Sequence, residues 1–152
     1  MRACSSCRLC CKLFPVPALN KATDQWCQHI GPQGCSLHDG GRPAVCIEYD
    51  CYWLDHEDEP ENRRPDLLGI VVTECGAVTV GGFVLPMLMF TLDRPGAHHD
   101  GEGKAMLDDL IAREAAVIVV HGPDAEIVFD RNRYPNISDE DIEIAYRYEQ
   151  SQ

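Results

Sequence analysis

Residues 4–11 of this sequence read Cys4-Ser5-Ser6-Cys7-Arg8-Leu9-Cys10-Cys11, and the architecture of the first third of the chain depends on them. Two residues between cysteines let one tight turn direct both sulfur atoms at a single ion about 2.3 Å away. Two overlapping turns of this kind offer three converging thiolates from one short loop. Consecutive side chains point in different directions, about 100° apart around a helix and to opposite faces of a strand. We therefore expect Cys10 and Cys11 to face different metal sites.

The cysteines are unevenly distributed, because eight of the nine fall within the first 51 residues. The odd total, the adjacent pair Cys10-Cys11 and the lack of an apolar secretory segment at the start of the chain all disfavour a disulfide scaffold. Eight sulfurs equal the demand of two closed four-sulfur sites. The sequence therefore predicts a cytoplasmic protein whose metal ligands are Cys4, Cys7, Cys10, Cys11, Cys27, Cys35, Cys46 and Cys51. Cys75 lies outside this pattern and is predicted to be a buried structural thiol.

The ligand type leaves the metal open. Two zinc ions in four-thiolate sites would use all eight sulfurs and be structural. A Cys-x2-Cys-x2-Cys run with a distant fourth cysteine resembles ferredoxin binding of a four-iron cluster, although here the fourth cysteine is adjacent. A site completed by His29, His38 or a carboxylate would keep an open position for chemistry. Zinc in about two sites is favoured, and an iron–sulfur cluster is the alternative.

The spacing of these residues also resembles that of a known family. The stretch from Cys4 to Cys11 is followed by Gly34-Cys35-Ser36-Leu37-His38 and by Arg42-Pro43-Ala44-Val45-Cys46 with Cys51. Over residues 4–54 this pattern is similar to the CxxCxxCC cysteine-cluster family, the zinc- or iron-chelating domain of the YkgJ type. The resemblance implies that the eight cysteines are ligands. A larger relative that carries this domain is flagellin lysine N-methylase, which methylates protein lysines.

Three stretches of the chain differ in composition. Residues 1–54 are rich in Cys, Pro and Gly and show no sustained helical or strand period, which predicts a loop-rich domain stabilised by metal. Residues 55–65 form an acidic, exposed connector. Residues 66–152 predict a small body with strands at 67–74, 78–80, 83–92, 115–121 and 126–129, and with helices at 104–114 and from the Ser138-x-x-Asp141 capping box onward. The predicted fold class is α+β: a metal-stabilised cysteine domain attached to a small antiparallel sheet with two helices.

Charge and motifs restrict the possible functions. The formal net charge is −12, with +1 on residues 1–53 and −13 on the remaining 99. An acidic body repels phosphate backbones, so nucleic-acid binding is not expected. No apolar run approaches the roughly 18 residues of a membrane span, so no membrane association is expected. The sequence contains no Gly-rich phosphate loop and no set of residues typical of nucleophilic catalysis.

These observations predict a metal-binding protein with a binding or accessory role, whose partner is another protein. The alternative is an enzyme of redox or protein-methyl-transfer type with an iron–sulfur centre or an open metal site; its catalytic residues are not identifiable from the sequence. A redox sensor that releases zinc and forms disulfides is a third possibility. His98-His99-Asp100 could bind metal, but an exposed loop is the favoured interpretation. The aromatic residues that flank the cysteines are expected to cover the metal sites: Trp26, Tyr49, Tyr52 and Trp53.

Overall fold

The computed structural model describes Arg2, Cys4, residues 6–138 and residues 142–146, and it is of the predicted α+β class. Residues 4–54, which we call the cysteine segment, contain only short elements. None of them exceeds five residues. They are helix α1 (Cys10–Leu13), a 3-10 turn (Pro17–Leu19), strands β1 (Ile30–Gly31) and β2 (Gly34–Cys35), helix α2 (Ala44–Glu48) and helix α3 (Tyr52–Asp55).

The rest of the described chain builds one five-stranded sheet and one long helix. A 3-10 turn (Glu61–Arg63) and helix α4 (Pro65–Leu68) lead into it. The elements that follow are β3 (Ile70–Val80), β4 (Phe83–Leu92), α5 (Gly101–Ala112), β5 (Ala116–His121), β6 (Asp124–Val128) and β7 (Ile142–Tyr146). Their order across the sheet is β6-β5-β4-β3-β7.

The prediction of an antiparallel sheet is wrong for one pair of strands. β4 and β5 run parallel, with Met87 opposite Ala116 and Thr91 opposite Val120. The chain leaves the C-terminal end of β4, passes through α5 and crosses back to the opposite end of the sheet before β5 begins, which is the crossover connection that parallel neighbours require. The sheet is therefore mixed, because its other three pairings are antiparallel.

The prediction of a helix from Ser138 onward is wrong over residues 142–146. These residues form β7, which pairs with β3 from Gly76 to Val80. Residues 139–141, including Asp141 of the predicted capping box, and residues 147–152 lie outside the described residues. The sequence Ile142-Glu143-Ile144 alternates with the period of a strand, and the free edge of β3 gives that strand a partner.

The two strands predicted at 67–74 and 78–80 are one strand that bends at a β-bulge. The register between β3 and β4 shifts between Glu74 and Ala77, and Pro86 stands opposite Ala77. The pairing of β4 with β5 begins only at Met87, so the missing N–H of Pro86 leaves that ladder intact. Residues 67 and 68, predicted as strand, belong to α4.

Hydrophobic clusters lie on both faces of the sheet. Val117 and Val119 face α5 in the larger cluster, whereas Ala116 and Ile118 face the opposite way, toward Phe129 and Tyr134. A third cluster joins the cysteine segment to the sheet, because its members Leu9, Leu13 and Trp53 pack on Val71 of β3. The cysteine segment is thus anchored on the sheet through its two ends. The boundaries of the two predicted domains, 1–54 and 66–152, stay a prediction.

The connector at residues 55–65 was predicted to be exposed, but the structure fixes part of it against α5. The side chain of Glu59 is only 5% exposed, and Arg63 donates a hydrogen bond to it at 3.1 Å. The same guanidinium bonds Glu102 of α5 at 2.7 Å and also Asp109 of that helix. Arg63 therefore fixes the connector to α5.

Candidate metal centres

The eight predicted ligands come from separate short elements of the cysteine segment. Cys10 and Cys11 are the first residues of α1, and Cys4 and Cys7 lie in the loop before it. The thiol of Cys4 donates to the carbonyl oxygen of Cys7 at 3.1 Å. The others occupy β2, α2 and the position just before α3, at Cys35, Cys46 and Cys51, while Cys27 precedes β1.

Four of these cysteines surround the anchored ends of the segment, and we call them the inner group: Cys4, Cys7, Cys10 and Cys51. Cys7 and Cys51 are both buried and share a cluster with Cys10. Burial raises the pKa of Cys7 to about 12 and also raises the pKa of Cys51, and the charge of Cys4 adds to each effect. The hydrogen bond with Cys10 lowers the pKa of Cys4, against the effect of burial. The four thiols therefore lie within electrostatic reach of one another around Cys4.

The other four form the outer group: Cys11, Cys27, Cys35 and Cys46. Burial raises the pKa of Cys46, and the negative charges that raise it further are those of Cys11, Cys27 and Cys35. The main chain supports this arrangement, since the N–H of Cys27 donates to the carbonyl of Cys11 at 3.1 Å. None of the four is buried.

The two groups meet at α1. The thiol of Cys10 interacts with those of Cys11 and Cys4, and these interactions, together with burial, raise its pKa. The bond from Cys10 lowers the pKa of Cys11 to about 7 despite its burial, and the cations of Lys21 and Arg8 add to this effect. Of Cys10 and Cys11, the thiol of Cys11 therefore ionises more readily. Cys10 lies between the inner and the outer group.

The sulfur atoms are not as close as a filled site requires. Among the residues that the structure describes, no three cysteine sulfurs lie within 4.8 Å of one another. Four thiolates around zinc, each bonded at about 2.3 Å, stand about 3.8 Å apart. Closing either group around an ion therefore requires the short loops that carry it to draw together.

Positive side chains lie beside the outer group. Lys21 is 7% exposed and donates to the carbonyl oxygens of Lys12, Phe14 and Ala22. Burial lowers its pKa, although the charges of Cys27 and Cys11 favour its charged form. Arg8 donates to the carbonyl oxygens of Gly31 and Pro32, at 2.6 and 2.9 Å, and so ties the β1–β2 hairpin to α1. A divalent ion held by four thiolates has a formal charge of −2, which such cations offset.

The aromatic residues near the cysteines differ in position. Trp53 is buried in the cluster that contains Cys7 and Cys51, and Tyr49 packs against the same cluster, its hydroxyl 2.9 Å from that of Thr73. Tyr52 belongs instead to the main core. Trp26 is 57% exposed, so it does not serve as the expected cover.

Cys75 lies apart from both groups. It sits at the β3 bulge, packs with the cluster on the second face of the sheet and donates to the carbonyl of Met87 at 3.4 Å. Burial raises its pKa to about 11. Its side chain is partly rather than fully buried.

The structure brings together one group of possible metal ligands that the sequence indicated only in part. Ligand atoms of His98, His99 and Glu126 all lie within 4.8 Å of one another. His98 is only 6% exposed, so the prediction of an exposed loop is wrong for this residue. Burial, with the charge of His99, lowers the pKa of His98, and Glu126 opposes that shift. The His-His pair was visible in the sequence, but nothing local pointed to Glu126 on β6.

Comparison of the chain with protein-family models, with curated proteins and with solved structures found no match. The resemblance to the CxxCxxCC family therefore stays a prediction. Within the described part of the chain, every helix is too short or too polar to cross a membrane.

Proposed function

We propose that this chain is a cytoplasmic metal-binding protein in which the eight cysteines of the cysteine segment hold two zinc ions. The metal has a structural role, and the folded chain acts as a binding or accessory protein for another protein. One observation carries the proposal: no residue from 22 to 50 is buried.

A stretch without buried side chains lacks the usual source of folding energy. Ordering each residue costs about 1–2 kcal/mol of backbone entropy, which burial of apolar surface normally offsets. Here the apolar side chains of Trp26, Val45 and Ile47 are more than half exposed. The same stretch carries Cys27, Cys35 and Cys46. Structural zinc contributes about 10–16 kcal/mol of binding free energy in small domains, and that energy is available to folding.

The grouping of the thiols supports two sites. In this proposal the inner group binds one ion next to the sheet, and the outer group binds the other within the loops. Cys10 and Cys11 then belong to different sites, as expected for adjacent side chains. Closed sites of four thiolates leave no position for substrate, which favours a structural role over catalysis.

Charge supports a protein partner. The 99 residues after residue 53 have a formal balance of −13, which repels nucleic acid and attracts basic protein surfaces.

The test is elemental analysis with an absorption spectrum, on protein purified without oxygen and without added metal. We expect about two zinc ions per chain and no visible absorbance. Cys7→Ser should lose the inner ion and Cys46→Ser the outer one, each leaving about one. Cys75→Ser is the matched control, because it removes a thiol outside both groups, and it should keep both ions.

Two other results would change the conclusion. Brown protein that contains iron and sulfide would favour the alternative, an iron–sulfur enzyme of redox or protein-methyl-transfer type. Protein that is folded over residues 22–50 and contains no metal would refute metal binding by these cysteines.

A further inference from the structure

We propose that His98, His99 and Glu126 form a separate, solvent-open binding site for a divalent transition metal ion such as zinc. This site contains no cysteine and does not depend on the function proposed above. Its residues come from the loop between β4 and α5 and from the edge strand β6.

The distances suit a shared ion. Nε2 of His98 lies 3.1 Å from Oε1 of Glu126, and a ligand atom of His99 completes a set within 4.8 Å. Two ligands that are each about 2.0–2.2 Å from a tetrahedral zinc ion stand roughly 3.3–3.6 Å apart, so the His98–Glu126 distance is within a few tenths of an ångström of that between neighbouring ligands. The two imidazole rings are also adjacent, with centroids 4.0 Å apart.

The fold holds the histidines in place without help from the ion. Gly96 has a φ of 73°, a left-handed conformation that suits glycine, and a Cβ atom there would lie 3.3 Å from Nδ1 of His99. The next residue, Ala97, is 5% exposed and lies under the first turn of α5, close to Gly103. The loop therefore turns tightly at Gly96, packs against α5 at Ala97 and continues directly into α5 after the two histidines.

His98 is buried, and the ring nitrogen that faces Glu126 is Nε2. Nε2 is therefore the atom of His98 that binds the ion in this site. Glu126 is 59% exposed, so the site opens to solvent on that side.

The ligand set defines the chemistry. Two histidines and one glutamate with an open fourth position are typical of zinc sites that hold a water molecule, and not of closed structural sites. Imidazole and carboxylate together also accept cobalt, which reports on its ligands by its spectrum. The expected ligand is thus the ion with one or more waters.

Cobalt titration into the full chain tests the proposal, after two equivalents of zinc have been added so that thiolates do not take up the cobalt. We expect one further equivalent of cobalt to bind, with ligand-field bands in the visible range and without the near-ultraviolet charge-transfer band of cobalt thiolates. His99→Ala and Glu126→Gln should each weaken this binding by at least about 10-fold, since loss of even an outer contact to a metal ligand costs 10–100-fold. Both side chains are exposed, so these variants should fold.

Glu74→Gln is the matched control. Glu74 is 66% exposed and lies 3.5 Å from His56, so it is also a surface glutamate paired with a histidine, but among the described residues no third ligand atom joins that pair. Its cobalt affinity should equal that of the unmodified chain. The proposal is overturned if the chain binds no further cobalt, if the bound cobalt shows thiolate charge transfer, or if Glu126→Gln binds as tightly as Glu74→Gln. None of these results bears on the zinc content of the cysteine groups.

Discussion

Removal of metal should unfold the cysteine segment between residues 22 and 50 and leave the sheet intact. This stretch has no buried residue, whereas the sheet has its own core on each face. The N–H groups of Ser36 and His38 report on the stretch, since they donate to the carbonyls of His29 and Cys35 at 2.8 and 3.1 Å. Phe90 and Val117, both 0% exposed, report on the sheet.

The magnitude follows from linkage between binding and folding. Free zinc at about 1,000 times its dissociation constant stabilises the bound form by about 4.1 kcal/mol. Hydrogen exchange from the segment requires the bound form to open, so chelation should speed the exchange of Ser36 and His38 about 1,000-fold. The exchange of Phe90 and Val117 should change by less than about 10-fold, because their local stability comes from apolar burial.

Hydrogen exchange followed by mass spectrometry measures both sets of amides in one experiment. The zinc-buffered and chelated samples should share the same pH and the same reductant, so that no disulfide forms in either. Cys75→Ser serves as a control that keeps the ligands, and it should behave as the unmodified chain does. The reasoning is refuted if Ser36 and His38 exchange at the same rate with and without zinc. It is also refuted if the sheet loses protection together with the segment.

Three further predictions concern the remaining anchors of the fold. Arg63→Ala leaves the buried carboxylate of Glu59 without its cation and should lower the free energy of unfolding by about 3–5 kcal/mol. Arg64→Ala removes exposed ion pairs and should lower it by less than about 1 kcal/mol. Equal urea midpoints for the two variants would contradict this. Gly103→Ala should destabilise the chain by about 1 kcal/mol or more, because the new Cβ would lie 2.0 Å from a carbonyl oxygen, and overpacking outweighs the helix propensity of alanine. Gly40→Ala, with nothing within 4 Å of its Cβ, should stabilise it by about 0.4–1 kcal/mol, and thermal melts that rank the two variants the other way would refute the assignment. Lys21→Met should weaken binding of the outer zinc by about 10–100-fold in a chelator competition, since it removes three hydrogen bonds that shape the loop; an unchanged affinity would exclude this role.

Local signals in the sequence gave several elements correctly. The strand predicted at 83–92 is β4, and the helix predicted at 104–114 is α5, which begins three residues earlier. The turn at Gly122-Pro123 joins β5 and β6 as an antiparallel pair. Each of these signals depends on the period or the turn residues within a few positions, and such signals do not need the rest of the chain.

The pairing of strands that are distant in the sequence could not be predicted from such local signals. Residues 142–146 fit both a helical and a strand period, and the free edge of β3 selected the strand. The helix between β4 and β5 was predicted. The parallel pairing of these strands depends on the end of the sheet at which the chain re-enters, and the sequence did not indicate that end.

The same division applies to the candidate sites. The spacing of Cys4, Cys7, Cys10 and Cys11 was enough to predict thiolate ligands, because a tight turn directs two sulfurs with two residues between them at one ion. The sequence alone therefore determined the α+β class, and it predicts thiolate metal ligands. Only the tertiary structure brought Cys51 near Cys4 and Cys46 near Cys11, and only it brought Glu126 to His98. The physical reason is that a side chain's neighbours across the fold are set by packing and strand register, and neither is encoded in the spacing of residues along the chain.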